Sequence, residues 1–162
     1  MSELSGAIVR LMMFQSPTVK EPVEVWIGAS ATAAIDRAAR LAEGGIASPG
    51  ITRAEARSQA DIHRERCAAY GRAANAVVLR RDIYVGESSS EADAVLQHAL
   101  SRGYRGLPAE ALVAGSVDEV AEQFRTFAGL GYTDILVRHL SNDQSKVLGS
   151  LERLAAVRAA LA

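Results

Sequence analysis

The sequence has 162 residues, 49% of them hydrophobic, and a formal net charge of −1 at neutral pH. That is enough for one domain with its own core, and the lack of a basic excess or basic tract argues against nucleic-acid and membrane-surface partners. Its one cysteine, Cys67, excludes an intrachain disulfide and a multi-cysteine metal site, fits a reducing cytoplasm, and reads as a small buried side chain on a helix.

Ala7 to Phe14 is apolar but interrupted by Arg10. It is too short to span a bilayer and lacks signal-peptide surroundings, so it reads as a strand or hairpin arm, with Thr18 to Glu21 leading onward. Val23, Val25 and Ile27, with Trp26 among them, form an apolar run between Pro22 and Gly28. This is the pattern of a short strand buried on both faces of a parallel sheet. Ser30 is placed as the N-cap of a helix in which Ala34, Ile35, Ala38, Leu41 and Ala42 recur at helical spacing, ending near Gly44 and Gly45. The Gly28-Ala29-Ser30 turn therefore sits at the carboxyl end of a strand. Free N–H groups and a helix dipole there favour an anion such as phosphate; the alternative is an ordinary strand-to-helix turn with a serine cap.

Gly45 to Gly50 reads as a very short strand running into a loop. Thr52 and Glu55 form a capping box for the next helix, where Ala56, Ala60, Cys67 and Tyr70 share a face with His63 among them. Val77 to Val85 is a strand rich in β-branched and aromatic residues, closed by Gly86. Ser88 and Glu91 form a second box, and Ala92, Val95, Leu96, Ala99 and Leu100 make an apolar stripe. A loop through Tyr104, Gly106 and Pro108 passes Leu112 and Val113 to Gly115. Ser116 with Glu119 then caps a helix striped by Val117, Val120, Ala121, Phe124, Phe127 and Ala128, which accounts for Gly115 and Ser116 without a ligand. Thr133 to Leu140 is the last strand. Asn142 or Asp143 starts the closing helix, with Val147, Leu148, Leu151, Leu154, Ala155 and Leu161 expected inward.

Four strands alternating with helices predict parallel α/β architecture with right-handed crossovers and all post-strand loops on one side. Gly28-Ala29-Ser30 is not a G-x-G-x-x-G dinucleotide fingerprint and no P-loop lysine follows it. His63 and His98 fall within helices and read as structural, and three scattered histidines make no metal constellation.

The order VEVWIGASATAAIDRAARLAEGG, RRDIYVGE and AGSVDEVAEQFRTFAGLGYTDILVRHL, followed by an amphipathic helix, resembles the carboxyl-terminal half of bacterial-luciferase-like flavin monooxygenases and their deazaflavin-dependent relatives. The resemblance runs from roughly Pro22 to the end. It implies a (β/α)8 TIM-barrel-type fold, present here as one domain, a carboxyl-terminal half barrel of about four parallel β/α units. FMN or a deazaflavin coenzyme would bind at the carboxyl ends of its strands. Gly28, Ala29 and Ser30 would stand at the cofactor's phosphate end, with the Ser30 hydroxyl and nearby N–H groups as donors. The loop holding Ser48 and Gly50 would lie beside the same ligand, although it contains no lysine. Arg138 and His139 end the last strand at that side, where an arginine can pair with phosphate and a histidine can donate to substrate, or where both simply meet solvent. No catalytic residue is named by the resemblance.

Complete members of that family have four preceding β/α units, which carry most of the ring pocket and the catalytic histidine or acid. A half barrel has two unpaired strand edges, so the expectation is association, as a homodimer or with a separate amino-terminal half-barrel chain. The expected function is that of a flavin- or deazaflavin-dependent oxidoreductase or monooxygenase acting on a small molecule as an assembly in the cytoplasm. Its rivals are a non-catalytic oligomeric half barrel with structural glycine turns and, on fold analogy alone, a binder of phosphorylated small ligands.

Overall fold

The computed structural model describes residues 23–74 and 76–162. The expected Ala7–Phe14 arm and Thr18–Glu21 connection lie outside these residues. In chain order the elements are β1 (Trp26–Gly28), α1 (Thr32–Leu41), β2 (Gly44–Ala47), α2 (Arg53–Ala69), β3 (Ala76–Val85), α3 (Ser89–Ser101), β4 (Leu112–Gly115), α4 (Val117–Gly129), β5 (Asp134–His139) and α5 (Gln144–Leu161). Two short 3-10 turns, Tyr104–Gly106 and Ala109–Ala111, join α3 to β4. Among the described residues no helix is long and apolar enough to cross a membrane.

Among the described residues every strand pairing is parallel, and β3 is the hub. β2 and β5 both register with Val78 and Leu79, while β4 and β5 both register with Asp82 and Ile83. A strand has only two edges, so β5 holds one and β2 and β4 occupy successive stretches of the other. Without β4 the pairing order is β1-β2-β3-β5, the sequential order of a barrel segment, and α3 with β4 is an excursion between β3 and α4. The result is the partial barrel of α/β class that the sequence predicts.

Side chains alternate across β3. Val77, Leu79, Ile83 and Val85 pack against α2, α4 and α5 through Ala56, Ala60, Val120, Phe124, Phe127 and Val157. This is the helix face. Arg80, Asp82 and Tyr84 point to the other face, which in a closed barrel is the interior. The excursion helix α3 covers its upper end, where Ala92 and Val95 meet Tyr84, Leu112 and Leu140. The Val85 amide, above the end of β5, donates to the buried Ser150 hydroxyl oxygen at 2.9 Å, and Arg153 Nε donates to the Val85 carbonyl at 2.9 Å. These bonds seal the top of the β3 edge with α5.

Several local expectations hold. Thr52 with Glu55 and Ser116 with Glu119 form complete capping boxes, Asp143 caps α5, and Cys67 is buried on α2. Others need correction. β1 is three residues long and is not buried on both faces: Trp26 is 38% exposed, because nothing among the described residues covers the interior face beside it. Ala31, not Ser30, is the N-cap of α1, and it offers no side-chain bond. Ser88 caps α3, but the Glu91 carboxylate turns to the Glu87 amide and the Tyr84 hydroxyl and leaves the box half formed. Tyr70 ends α2 exposed, donating its hydroxyl to Asp36, and Leu112–Gly115 is a strand where a loop was expected. On α5 the residues buried are Ser150 and Val157, while Leu148, Leu151 and Leu161 are exposed. The bond to Val85 turns that helix away from its expected face.

Candidate functional site

The carboxyl ends of β1, β2, β3 and β5 lie on one side of the molecule, as parallel pairing requires. At the end of β1, the Ala29 amide still pairs with the Ile46 carbonyl at 2.9 Å, and the Ser30 carbonyl accepts from Gln59 Nε2 at 3.2 Å. The backbone of the turn is thereby fixed while the Ser30 side chain stays exposed, without a hydrogen bond among the described residues. The amides of Ala34 and Ile35 reach the Ala31 carbonyl, and the first N–H groups of α1, with no side-chain cap, point outward at the positive end of the helix dipole. No described atom lies within 4 Å of where a Cβ on Gly28 would stand, so the turn has an open approach.

At the end of β2, the loop with Ser48 and Gly50 is held from below. The guanidinium of Arg81, only 1% exposed, donates to the carbonyls of Pro49 and Ile51 at 3.0 Å each. It also lies over the Phe127 ring, 5.0 Å from its centroid. Burial pushes its pKa below the usual arginine value. From above, Leu107 of the excursion closes on Gly50: a Cβ there would stand 3.0 Å from Leu107 Cδ2.

The upper interior face carries a polar cluster. Asp82, 0% exposed, accepts from Tyr104 Oη at 2.9 Å and Arg105 Nη1 at 2.8 Å on one carboxylate oxygen, and its other oxygen faces Arg80 Nη2 at 3.6 Å. Arg138 is the residue of β5 in register with Asp82. Burial and the bond to Asp82 raise the Tyr104 pKa. Higher still, Tyr84 donates to Glu91 at 2.6 Å; burial first, then that bond, push its pKa up to about 12, and the same bond holds Glu91 low. A groove of about 760 Å³ opens between α3 and the loop after β5, with Tyr104, Leu140 and Lys146 in its wall. That is a volume suited to a small organic molecule.

Gly28, Ala29, Ser30, Ser48 and Gly50 thus sit on adjacent strand-to-helix loops, and Arg138 faces the interior two strands from the second of these loops. His139 does not join them. Strand alternation turns it to the helix face beside Ile83, where burial lowers its pKa and its Nδ1 atom is buried without a hydrogen bond. The sequence reading missed Arg80, Arg81, Asp82, Tyr104 and Arg105. Three successive charges inside an otherwise apolar strand, Arg80-Arg81-Asp82, were the signal.

His63, buried on α2 with its ring 3.6 Å from Cys67 Sγ, is a structural histidine, and burial with the nearby Arg64 charge lowers its pKa. Both His63 and His139 therefore have folded pKa values below the ordinary 6.5. The unfolded chain then binds protons more readily than the folded one, so their contribution is complete above pH 6.5 and is lost as pH falls below it. Thermal melts are expected to weaken from pH 6.5 downward, and His63→Gln to flatten that decline.

The chain matches the luciferase-like monooxygenase family model over residues 5–111. Among solved structures it is similar to apo-MsnO8, at 21% identity and a TM-score of 0.73, covering 96% of this chain and 60% of that one. It is similar to the monooxygenase RslO1 from Streptomyces bottropensis at 18% identity and a TM-score of 0.66, covering 88% and 49%. It is also similar to the coenzyme F420 dependent tetrahydromethanopterin reductase from Methanopyrus kandleri at 15% identity and a TM-score of 0.57, covering 80% and 49%. At these identities the likeness is one of fold, and the chain spans between about half and three fifths of each of these structures. No curated protein sequence matches it. The family match spans more than half of the chain, and the chain belongs to the luciferase-like monooxygenase family.

Proposed function

We infer that this chain is a flavin- or deazaflavin-dependent oxidoreductase or monooxygenase domain that works as part of a completed barrel. The observation that carries this reading is the uncapped amino terminus of α1 behind the open Gly28-Ala29-Ser30 turn, at the carboxyl end of a barrel-type sheet. The residues fit a phosphate-bearing cofactor: the Ser30 hydroxyl and the first α1 amides as donors with the Ser48–Gly50 loop alongside, while Arg138, three strands away on β5, stands beyond reach of the same phosphate. Bound there, the cofactor would supply the redox chemistry. The chain would fix its phosphate end and exclude water with the excursion.

The assembly half of the reading rests on β5. Among the described residues it pairs only with β3, leaving its second edge with free backbone groups. Beside that edge lies an apolar groove of about 570 Å³ walled by Ile135, Val137, Leu151, Leu154 and Leu161. A further β/α unit, from a second copy or a separate amino-terminal half, would pair the edge and cover the leucines. A non-catalytic oligomeric half barrel is the second reading. It is favoured by Gly86 and Gly115, where a Cβ would stand 2.7 Å from the Ser88 carbonyl oxygen and 2.8 Å from Glu119 Cβ, so packing alone requires glycine.

Gly28→Val with Ser30→Ala tests the turn. Since a Gly28 Cβ meets no described atom, the variant is expected to keep its melting transition. It should bind FMN or the deazaflavin about a hundredfold more weakly through lost donors and a blocked approach. An unchanged dissociation constant would remove the turn from the cofactor site.

A further inference from the structure

The upper interior face carries an arginine cluster that a phosphate at the β1 turn does not use. Two guanidinium groups, Arg80 and Arg105, pair with one carboxylate, Asp82, and Arg138 is the residue of β5 in register with it. Asp82 Oδ2 is committed to Tyr104 and Arg105. Its Oδ1 is buried without a hydrogen bond among the described residues, and Arg80 makes an ion pair with it at 3.6 Å, outside hydrogen-bond range. Arg138 has neither an ion pair nor a hydrogen bond among the described residues, and it is exposed. Two further carboxylates of this face keep their charge, since their partners are neutral: Asp134, at the start of β5 four residues from Arg138, accepts from the Thr133 hydroxyl at 2.7 Å, and Glu91 accepts from Tyr84 and the Glu87 amide. Immediately around Asp82, three arginines meet one carboxylate, and Arg138 has no counter-ion at hand among the described residues.

Arg80 registers with Leu136 and Asp82 with Arg138, so Arg80 and Arg138 are diagonal neighbours on one face of β3 and β5. We propose that Arg80 and Arg138, backed by Arg105, bind the oxyanion of the substrate, so that the substrate is an organic anion carrying a carboxylate or phosphate-type group. Two flexible guanidinium forks on adjacent strands suit such a group, and Asp82 keeps Arg105 and Arg80 from folding back to solvent. The β1 turn lies two strands from β3 and three from β5, about 10 to 14 Å at ordinary strand spacing, so one phosphate cannot reach both Ser30 and Arg138. The groove between α3 and the loop after β5 shares Tyr104 with this cluster and gives the rest of such a molecule its space. The role of the anion as substrate rests on the cofactor reading; the binding site itself rests on the arginines.

The test uses Arg80→Gln with Arg138→Gln. Arg80 stands 3.6 Å from the fully buried Asp82 carboxylate, so the double variant is expected to melt below the parent, and Arg138→Gln alone, which loses no ion pair or hydrogen bond among the described residues, is expected to melt as the parent does and is titrated alongside. Inorganic phosphate is titrated calorimetrically into both proteins, and FMN and riboflavin are then titrated into both. The expected result is that the parent binds phosphate and the variant loses about tenfold or more of that affinity, while FMN and riboflavin bind the two proteins alike. Phosphate binding that is absent, or unchanged in the variant, overturns the site. A variant that loses FMN but not riboflavin affinity shows that the arginines hold the cofactor's own phosphate and overturns the assignment to substrate. If neither FMN nor riboflavin binds either protein while the phosphate difference persists, the flavin form of the cofactor reading fails and the anion site stands.

Discussion

Arg81→Ala is expected to destabilise the protein by about 3 kcal/mol, lowering its melting temperature by roughly 10 °C. The side chain is nearly fully buried, and its two donor nitrogens are the hydrogen-bond partners of the Pro49 and Ile51 carbonyls. Removing it strands both carbonyls and takes away the surface that packs on Phe127. Part of that loss is offset, because the buried Nε atom has no hydrogen bond and a cation no longer needs to be held out of water. Arg81→Met separates the contributions: it keeps the apolar stem and is expected to lose about half as much. In both variants, hydrogen exchange should quicken in the loop from Ser48 to Thr52. Cofactor affinity should fall with it if this loop flanks the phosphate.

Asp82→Asn is expected to cost about 2 kcal/mol, and its effect should appear in the excursion between α3 and β4. Arg105 has φ 49°, in the left-handed region where a side chain is disfavoured, between Gly103 at 64° and Gly106 at 67°. The ion pair to Asp82 holds it there at 2.8 Å. Neutralising the carboxylate removes that pair and leaves the strained residue without compensation. Because the Arg105 side chain is partly exposed it can return to water, which keeps the loss below that of a fully buried pair. Trypsin should then cut after Arg102 and Arg105 faster than in the parent. Arg105→Gly relieves the backbone strain while losing the same pair, so its loss should be smaller than that of Asp82→Asn.

How much of this was legible in the sequence depends on the range of the forces involved. Thr52 with Glu55 and Ser116 with Glu119 act over three residues, and their spacing alone locates two helix starts. The run Val77 to Val85 is long and β-branched, and its central place in the sheet follows. β4 escaped notice because four residues become a strand only by pairing with the upper edge of β3, thirty residues earlier in the chain. The orientation of α5 escaped for a similar reason. Its leucines made the obvious stripe, yet a single serine, bonded to the otherwise unpaired Val85 amide, decides which side faces the core. At the candidate site, Gly28, Ser30 and Ser48 could be placed because they close β/α units, whereas Arg80 and Asp82 were hidden in a strand read for its apolar residues. The period of two that sends Arg81 to the helices and Arg80 and Asp82 to the interior also sends Arg138 and His139 apart, which a reading of strand ends alone does not separate.

On the function proposed above, this partial barrel holds a flavin-type cofactor at the carboxyl ends of its strands once its open edge is covered. Equilibrium binding of FMN and of the deazaflavin, followed by fluorescence with the mass of the same samples measured by sedimentation, tests it most directly. Saturable binding of one of them by an assembly larger than the 162-residue chain is the expected result. A stable, cooperatively folded monomer, or an assembly that binds neither cofactor, would contradict it.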